Sequence, residues 1–215
     1  MGVYLTIDVE FPDRPANAED AWQEILAALD RHGALATMFV QGKWAEAHPD
    51  RVRRIRDAGH LVGLHSYWHA AYPALSDAGV REDLDRGRTA LWTAAGLEPQ
   101  PWFRLPYGRG VDEQRITELL AAEGYTHVDW TLDPADWHQG NDADGVAGFL
   151  EREAPADDHP SVVLLHSWPR NNSSSSNNRP NARIKHPSVP HRRRRAQGRT
   201  RVPPFPHLAD RARDC

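Results

Sequence analysis

Short strand-like runs of apolar residues alternate along this chain with longer segments in which apolar residues recur every three or four positions. The strand-like runs lie at residues 3–7, 36–40, 60–64, 102–105, 126–130 and 161–165. The segments of helical periodicity lie between them, at residues 18–31, 49–58, 76–95, 111–123 and 144–153. Because strands that alternate with helices favour a parallel arrangement, the pattern predicts an α/β fold built on a parallel sheet or barrel.

Polar residues with metal-binding chemistry stand where two of these strands end. Asp8 and Glu10 follow the first strand, and residues two apart on a strand point the same way. His65 and His69 follow the third strand, and we interpret them as lying on one face of a single helical turn, where both imidazoles reach one cation. Three protein ligands with an open position are typical of a catalytic metal. The sequence therefore predicts one pocket that contains two carboxylates and two histidines.

Other polar residues follow the remaining strands. Arg104 comes directly after Trp102 and Phe103, Asp133 follows the fifth strand, and His166 ends the last one. In parallel barrels the active site forms from the loops at the carboxyl ends of the strands. We therefore expect these side chains at the same end of the sheet as the first pocket.

Five short motifs occur in an order that resembles the polysaccharide deacetylase family, also called the NodB-homology family. The matching segments are residues 6–10 (Thr-Ile-Asp-Val-Glu), 65–69 (His-Ser-Tyr-Trp-His), 104–107 (Arg-Leu-Pro-Tyr), 133–137 (Asp-Pro-Ala-Asp-Trp) and 164–166 (Leu-Leu-His). The second segment fits the family's His-Ser/Thr-x-x-His motif without change. The resemblance extends over residues 3–169, and it implies a distorted, incomplete parallel (β/α) barrel as the catalytic domain, residues 1–170.

The first motif departs from the family pattern. The usual Thr-Phe-Asp-Asp contains two adjacent aspartates, whereas this chain has Asp8-Val9-Glu10. Variants with an Asp-x-Glu pattern are known in the family, so the resemblance implies that Glu10 is the metal ligand and Asp8 the general base. The reverse assignment of the two carboxylates stays open at this stage.

The resemblance also implies which residues hold a metal and move protons. Glu10, His65 and His69 would bind one divalent cation, with zinc expected and cobalt or another divalent ion as alternatives. Asp8 would take a proton from the attacking water, and His166 would deliver a proton to the leaving amine.

Four further residues have expected supporting roles. Arg104 would hold Asp8 ionised and oriented, because a guanidinium forms strong hydrogen bonds to a carboxylate, and Asp133 would in turn hold Arg104. The backbone N–H of Tyr107 would be the oxyanion donor of the family, with Pro106 fixing the backbone before it. A structural ion pair is the alternative role for Arg104 and Asp133.

The implied activity is hydrolysis of a non-peptide C–N bond. N-deacetylation of an acetylated amino sugar or polysaccharide is the first hypothesis, and we expect Trp137, Trp168 and Pro106 beside the substrate. Some relatives with the shifted carboxylate hydrolyse small cyclic imides or ureides, so the resemblance implies this activity as the second hypothesis. A non-catalytic carbohydrate-binding module is the third hypothesis, which the loss of a ligand or of the base would favour. The chain retains every expected metal ligand and the expected base, with the one difference that the second carboxylate, Glu10, is displaced by one residue.

Charge divides the chain into two parts. Residues 1–170 contain 28 acidic and 15 basic side chains, whereas residues 171–215 contain 2 acidic and 11 basic ones, so the overall charge of −4 hides two opposite halves. Phosphate binding needs a basic face, so the acidic body argues against nucleic acid as its ligand.

The segment 171–215 has the composition of a tail. It opens with a run of Asn and Ser, contains four consecutive arginines at 192–195 and is rich in proline at 202–206, so we expect disorder. An arginine-rich tail of this kind binds polyanions. Alternatively, the reading frame is altered after Arg170 and the tail replaces a closing helix, without which the last strand would be uncovered on one side.

The start of the chain and its single cysteine, Cys215, bear on localisation. One cysteine allows no disulfide within the chain, and the N-terminus enters the first strand without a basic segment or an apolar stretch of signal-peptide length. We therefore expect a soluble cytoplasmic protein without a membrane anchor.

Overall fold

A computed structural model describes residues 2–11, 19–138, 141–153 and 160–167 of the chain. All of these residues lie within the unit that spans Met1–Asn172. Trp168 and the predicted tail at 171–215 lie outside the described residues, so the boundary at residue 170 stays a prediction.

The described residues form one parallel sheet. Its strands are β1 (Val3–Val9), β2 (Thr37–Val40), β3 (Leu61–Leu64), β4 (Trp102–Phe103), β5 (Thr126–His127) and β6 (Ser161–His166). They pair in the order β5-β4-β3-β2-β1-β6, with every pair parallel. The predicted parallel α/β architecture is confirmed, although β4 and β5 are shorter than their apolar runs indicated.

Six helices connect these strands within the described residues. They are α1 (Glu19–Arg31), α2 (Gly42–Ala47), α3 (Pro49–Asp57), α4 (Asp77–Ala95), α5 (Gln114–Ala122) and α6 (Ala143–Glu153). Five of them match the predicted helical segments to within a few residues. Helix α2 was not predicted, because six residues are too few to display a helical period. None of the described helices combines the length and the apolar composition that crossing a bilayer requires.

The best-defined helix is α4, and its ends follow local rules. The Ser76 side chain accepts a hydrogen bond from the Gly79 N–H at 3.2 Å, and Gly96 ends the helix with a left-handed φ of 58°. Both are standard helix caps, because a serine oxygen satisfies a free N–H and glycine adopts positive φ without a Cβ clash. Eight residues of α4 are buried, so this helix is packed firmly into the fold, chiefly against α2 and α3.

The two ends of the sheet are linked by the chain that leaves β5. Leu132 forms a parallel bridge with Val163 of β6. The Thr131 N–H donates to the Val162 carbonyl at 2.9 Å, and the Leu164 N–H donates to the Leu132 carbonyl at 2.9 Å. The sheet is therefore curled into the distorted, incomplete barrel that the sequence predicted, and residues 131–132 pair the outer edge of β6.

Candidate active site

Strained backbone is concentrated in the loops at the carboxyl ends of the strands. Within the described residues, the non-glycine residues with positive φ are Phe11 (54°), Ser66 (61°), His69 (60°), Tyr107 (60°) and Ala135 (51°). Such conformations persist only where the surrounding structure imposes them, and they cluster at functional sites. Every one of these residues lies in or beside one of the sequence motifs. The surrounding structure therefore holds the motif loops in backbone conformations that fix the directions of their side chains.

The loops surround a cavity of about 430 Å³. Its polar lining consists of Asp8, Glu10, His65, His69, Asp133 and His166. Aromatic and aliphatic side chains form the rest of the wall, among them Leu105, Trp130 and Leu164. The predicted convergence of two carboxylates and two histidines is confirmed, because residues two apart on β1 and its extension face the same side of the sheet.

Glu10, His65 and His69 form a buried cluster on one side of this cavity. The Glu10 Oε2 atom lies 3.3 Å from His65 Nε2 and in contact with His69 Nε2. One ligand atom from each residue lies within 4.8 Å of the other two. Two imidazole nitrogens and one carboxylate oxygen are a donor set that zinc prefers, with a fourth position left for substrate or water. The residues present therefore fit a divalent cation.

The tautomer of His65 supports this assignment. His65 Nδ1 lies 2.9 Å from the Arg104 carbonyl oxygen, which can only accept, so the proton is on Nδ1. In the neutral ring Nε2 then carries the lone pair and faces Glu10. A histidine that binds a metal through one ring nitrogen usually donates the N–H of its other ring nitrogen to an acceptor such as a backbone carbonyl, and this hydrogen bond fixes the orientation of the ring.

The protonation behaviour of the cluster follows from burial and close contact. Burial alone would raise the pKa of the Glu10 carboxyl, but its close contacts with the His65 and His69 rings outweigh burial and hold that pKa far below its usual range. Burial lowers the pKa of His69. For His65 the same burial is outweighed by the Asp8 charge and the Glu10 hydrogen bond, which raise its pKa. The cluster therefore holds an ionised carboxylate against imidazole nitrogens.

The histidine motif does not form the predicted helical turn. Residues 65–69 form a bend, and the left-handed backbone at Ser66 and His69 cannot continue a right-handed helix. The Ser66 hydroxyl accepts from the His69 N–H at 2.9 Å, which stabilises the bend. The His69 ring packs between the rings of Phe11, at 4.8 Å, and Tyr107, at 4.5 Å. The two imidazoles thus meet through a turn and aromatic packing, not through helical spacing.

Asp8 and Arg104 form a buried ion pair behind the cluster. Arg104 is fully buried, and its Nη1 donates to Asp8 Oδ1 at 2.9 Å and to Thr6 Oγ1 at 2.7 Å. The guanidinium lies 4.2 Å from the Phe39 ring centroid, and Nε donates to the Val128 carbonyl at 3.1 Å. A buried charge needs such complete pairing. The second Asp8 oxygen, Oδ2, lies 3.6 Å from His65 Nε2, beside the proposed metal ligands.

Asp133 does not hold Arg104, so that prediction is wrong. Asp133 Oδ1 accepts from the Ala135 N–H at 2.7 Å, which closes a short turn around Pro134. Within the described residues, the hydrogen-bond acceptors of the Arg104 guanidinium are Thr6, Asp8 and the carbonyls of Val128 and Asp129. Asp133 remains a wall residue of the cavity.

His166 lies on the cavity wall with a carboxylate partner of its own. Its Nδ1 donates to Asp136 Oδ1 at 2.7 Å, and its backbone N–H donates to Asp136 Oδ2 at 2.7 Å. Burial alone would lower the pKa of His166, but the Asp136 hydrogen bond and the charge of Asp8 raise it above its ordinary value. Asp136 had no predicted role. Its place beside Trp137 in the fourth motif was the available signal.

Three of the remaining predicted residues have defined positions. The left-handed Tyr107 leaves its ring exposed at the cavity, and the described part of the chain offers its backbone N–H no acceptor. The buried Pro106 comes directly before Tyr107 in a tight turn that the Gly108 N–H closes by donating to the Leu105 carbonyl at 3.0 Å. Trp137 lines the cavity as predicted, whereas Trp168 lies outside the described residues.

Comparison with known proteins adds independent support. Residues 2–128 match the family model described as polysaccharide deacetylase. A peptidoglycan-N-acetylglucosamine deacetylase of Bacillus cereus is 31% identical over 147 residues, which cover 68% of this chain and 50% of that protein. A chitooligosaccharide deacetylase of Sinorhizobium fredii is 31% identical over 164 residues, covering 76% and 71%. The chain spans between 42% and 62% of the length of the first four curated relatives.

Solved structures show the same fold. A family 4 carbohydrate esterase from Streptomyces lividans, in complex with acetate, superposes with a TM-score of 0.66 at 32% identity, covering 79% of this chain and 80% of that one. A CE4 family pseudoenzyme from Bacillus anthracis superposes with a TM-score of 0.67 at 27% identity, covering 78% and 55%. The scaffold therefore occurs both in esterases and in a protein described as a pseudoenzyme.

Proposed function

The chain belongs to the polysaccharide deacetylase family, and from this premise we propose that it is a metal-dependent hydrolase that removes acetyl groups from N-acetylated amino sugars. The observation that carries the proposal is the arrangement of the cavity. A carboxylate–histidine cluster and Asp8 line the cavity, and so does His166, whose ring is hydrogen-bonded to Asp136. Amide hydrolysis needs both a base and an acid, because an amine leaves only after protonation.

Glu10, His65 and His69 would hold the cation, and zinc fits their donor set, with cobalt as an alternative. When bound, such an ion polarises an acyl oxygen and acidifies water. The protein brings three buried ligand atoms within 4.8 Å of one another. The hydrogen bond from His65 Nδ1 to the Arg104 carbonyl fixes the orientation of the His65 ring.

Asp8 is placed to act as the general base. Arg104 holds one of its oxygens at 2.9 Å and compensates its charge, while the other oxygen lies beside His65. The carboxylate is therefore oriented before substrate arrives, and a positioned base contributes roughly 10²–10⁴ in rate. Because Glu10 contacts both histidines and Asp8 is paired with arginine, this geometry supports Glu10 as the ligand and Asp8 as the base.

His166 is placed to protonate the leaving nitrogen. Its Nδ1 proton is donated to Asp136, so Nε2 is the nitrogen that would carry the transferable proton. The raised pKa of His166 favours the protonated ring that a general acid requires. The backbone N–H of Tyr107 would hold the oxyanion that forms as water attacks.

The rest of the wall suits an N-acetylated sugar. Leu105, Trp130 and Trp137 offer apolar surface for a methyl group or a sugar face, and the acidic lining disfavours anionic substrates. The named relatives are deacetylases of peptidoglycan and of chitooligosaccharides. We therefore propose neutral N-acetylglucosamine units as the first substrates to test.

A second candidate is hydrolysis of small cyclic imides or ureides. The displaced carboxylate in Asp8-Val9-Glu10 favours it, and the attack of water on a carbonyl would use the same residues.

The deciding experiment combines metal analysis of the purified chain with parallel assays after reconstitution with Zn²⁺ or Co²⁺. Metal-dependent release of acetate from chitooligosaccharides or peptidoglycan, lost in a His166→Ala variant, would support the proposal. Hydrolysis of a cyclic imide without acetate release would favour the second candidate. A chain that binds metal but hydrolyses neither substrate would contradict the enzyme proposal and favour a binding module.

A further inference from the structure

A buried carboxylate outside the cavity contacts the histidine loop from behind. Asp83 lies in the middle of α4 and is 2% exposed. It accepts hydrogen bonds from the Tyr67 N–H at 2.8 Å, the Trp68 N–H at 3.0 Å and the Tyr72 hydroxyl at 2.9 Å. Burial and the Asp83 charge hold the pKa of Tyr72 well above its usual range, so this hydroxyl stays a donor. Within the described residues, these three donors take the place of a cationic partner, which a buried carboxylate otherwise needs.

Two of these donors belong to residues that lie between the proposed metal ligands. Tyr67 and Trp68 separate His65 from His69 in a bend whose backbone is left-handed at both Ser66 and His69. A bend of this kind lacks the regular hydrogen bonds of a helix or strand, so its N–H groups need acceptors from elsewhere. Asp83 supplies both acceptors, one from each carboxylate oxygen.

A second helix, α2, also holds this loop. The Gly42 N–H donates to the Ser66 carbonyl at 2.9 Å, and the Lys43 N–H donates to the Tyr67 carbonyl at 3.2 Å. The helices approach each other closely here, since a Cβ atom on Gly42 would lie 2.8 Å from the Gly87 Cα of α4. The histidine loop is thus held by two neighbouring helices, because α4 accepts from its N–H groups and α2 donates to its carbonyls.

We propose that Asp83 is a positioning residue of the metal centre, which fixes the separation and direction of His65 and His69 by accepting the backbone N–H groups between them. This inference rests on the proposed function in one respect, namely that Glu10, His65 and His69 bind a cation. The side chain of Asp83 itself contacts neither the cavity lining nor these three residues in the described hydrogen bonds.

The role requires a carboxylate and not merely a side chain of the same size. Tyr67 and Trp68 donate to different oxygens of Asp83, so both oxygens must be acceptors. An asparagine has one acceptor oxygen, and its NH₂ group would face a backbone N–H donor. Asp83→Asn therefore keeps the volume but forces one end of the bend to move.

The test compares three forms of the full chain by metal affinity and by the visible absorption spectrum of the Co²⁺ form. They are the wild type, Asp83→Asn and the control Ser76→Ala, which removes the N-terminal cap of the same helix at an exposed position. We expect Asp83→Asn to weaken Zn²⁺ and Co²⁺ binding by roughly 10- to 100-fold, the usual scale for residues that orient metal ligands, and to shift the cobalt bands. Ser76→Ala should destabilise α4 to denaturant while both metal readouts stay at the wild-type values.

Wild-type affinity and an unchanged cobalt spectrum in Asp83→Asn would overturn the inference. If Asp83→Asn does not fold, Asp83→Glu is compared with Asp83→Gln, because the two side chains have the same length but only the carboxylate offers two acceptor oxygens. Metal affinity should be lower in Asp83→Gln than in Asp83→Glu, and equal affinities in these two variants would also overturn the inference. A wild-type chain that binds no divalent metal would instead contradict the metal centre of the proposed function.

Discussion

The two sides of the cavity are built differently. The ligand side, Glu10, His65 and His69, is backed by α2 and by α4, which buries eight of its residues. The acid side, Asp136 and His166, is held by one strand end and one loop, and α6, which lies between them in the chain, has no buried residue among those described. Three atoms must converge within fractions of an ångström to bind a metal, whereas one nitrogen is enough to deliver a proton.

Histidine therefore has two proposed roles here, metal ligand and general acid, and the groups that contact each ring decide between them. The imidazoles of His65 and His69 share the Glu10 carboxylate, and burial lowers the pKa of His69, whereas the charges of Asp8 and Glu10 raise that of His65. On the acid side burial also favours the neutral ring, but there a dedicated carboxylate, Asp136, outweighs it and raises the pKa of His166. Four experiments would break or sharpen this contrast.

The largest effect is expected from replacing His65 and His69 together by alanine. Two of the three ligands disappear, so the chain should lose its bound metal and its activity together. Metal analysis of the purified variant and an acetate-release assay measure the two losses. His166→Ala is the matched control, since it should lose activity with the metal retained. Full metal occupancy in the double variant would show that the ligand side is wrongly assigned.

Asp8→Asn should lower turnover by a factor on the order of 10²–10⁴, the scale of a general base, while metal and fold are kept. The amide keeps the shape beside Arg104 but cannot accept the proton of water. Turnover and metal content are measured side by side with Glu10→Gln, which should lose metal. If Asp8→Asn lost the metal and Glu10→Gln lost only rate, the two carboxylates would have the reverse roles.

Asp136→Asn tests the acid side alone. Hydrogen bonds to charged groups contribute about 1.5–3 kcal/mol, which corresponds to roughly 10- to 10²-fold in rate. Because Asp136 raises the pKa of His166 and the acid must be protonated, activity should fall as pH rises through that pKa. Removing the carboxylate lowers the pKa, so the alkaline limb of the pH–rate profile should move to lower pH with metal content unchanged. An unmoved alkaline limb would exclude His166 as the acid tuned by Asp136.

The smallest effect concerns stability. A Cβ atom at Gly42 would lie 2.6 Å from Tyr67 Cδ2 and 2.8 Å from the Gly87 Cα, so Gly42→Ala should destabilise the fold by about 1–3 kcal/mol. In α6 a Cβ at Gly148 would meet only the flexible end of Arg152, at 3.3 Å. There alanine should be neutral or stabilise by about 0.5–1 kcal/mol. Urea unfolding of both variants measures the difference, and equal midpoints would mean that the two sides are packed alike.

Much of the architecture and of the cavity lining was predictable from the sequence. Strands and long helices leave a local period of apolar residues, so β1, β6 and α4 were placed to within a few residues. The order of the motifs at strand ends predicted that Asp8, Glu10, His65, His69 and His166 would share one pocket, and they do. This worked because the carboxyl ends of parallel strands meet at one edge of the sheet.

Partners of these residues were decided only by the tertiary structure. The sequence paired Arg104 with Asp133, but the fold surrounds Arg104 with Thr6, Asp8 and the carbonyls of residues 128–129, while Asp133 bonds to its own turn. It suggested a helical turn for the histidine motif, which is instead a bend held by Asp83. A periodic pattern records which face of an element is buried, whereas a hydrogen bond depends on the distance between atoms that the chain brings together from far apart.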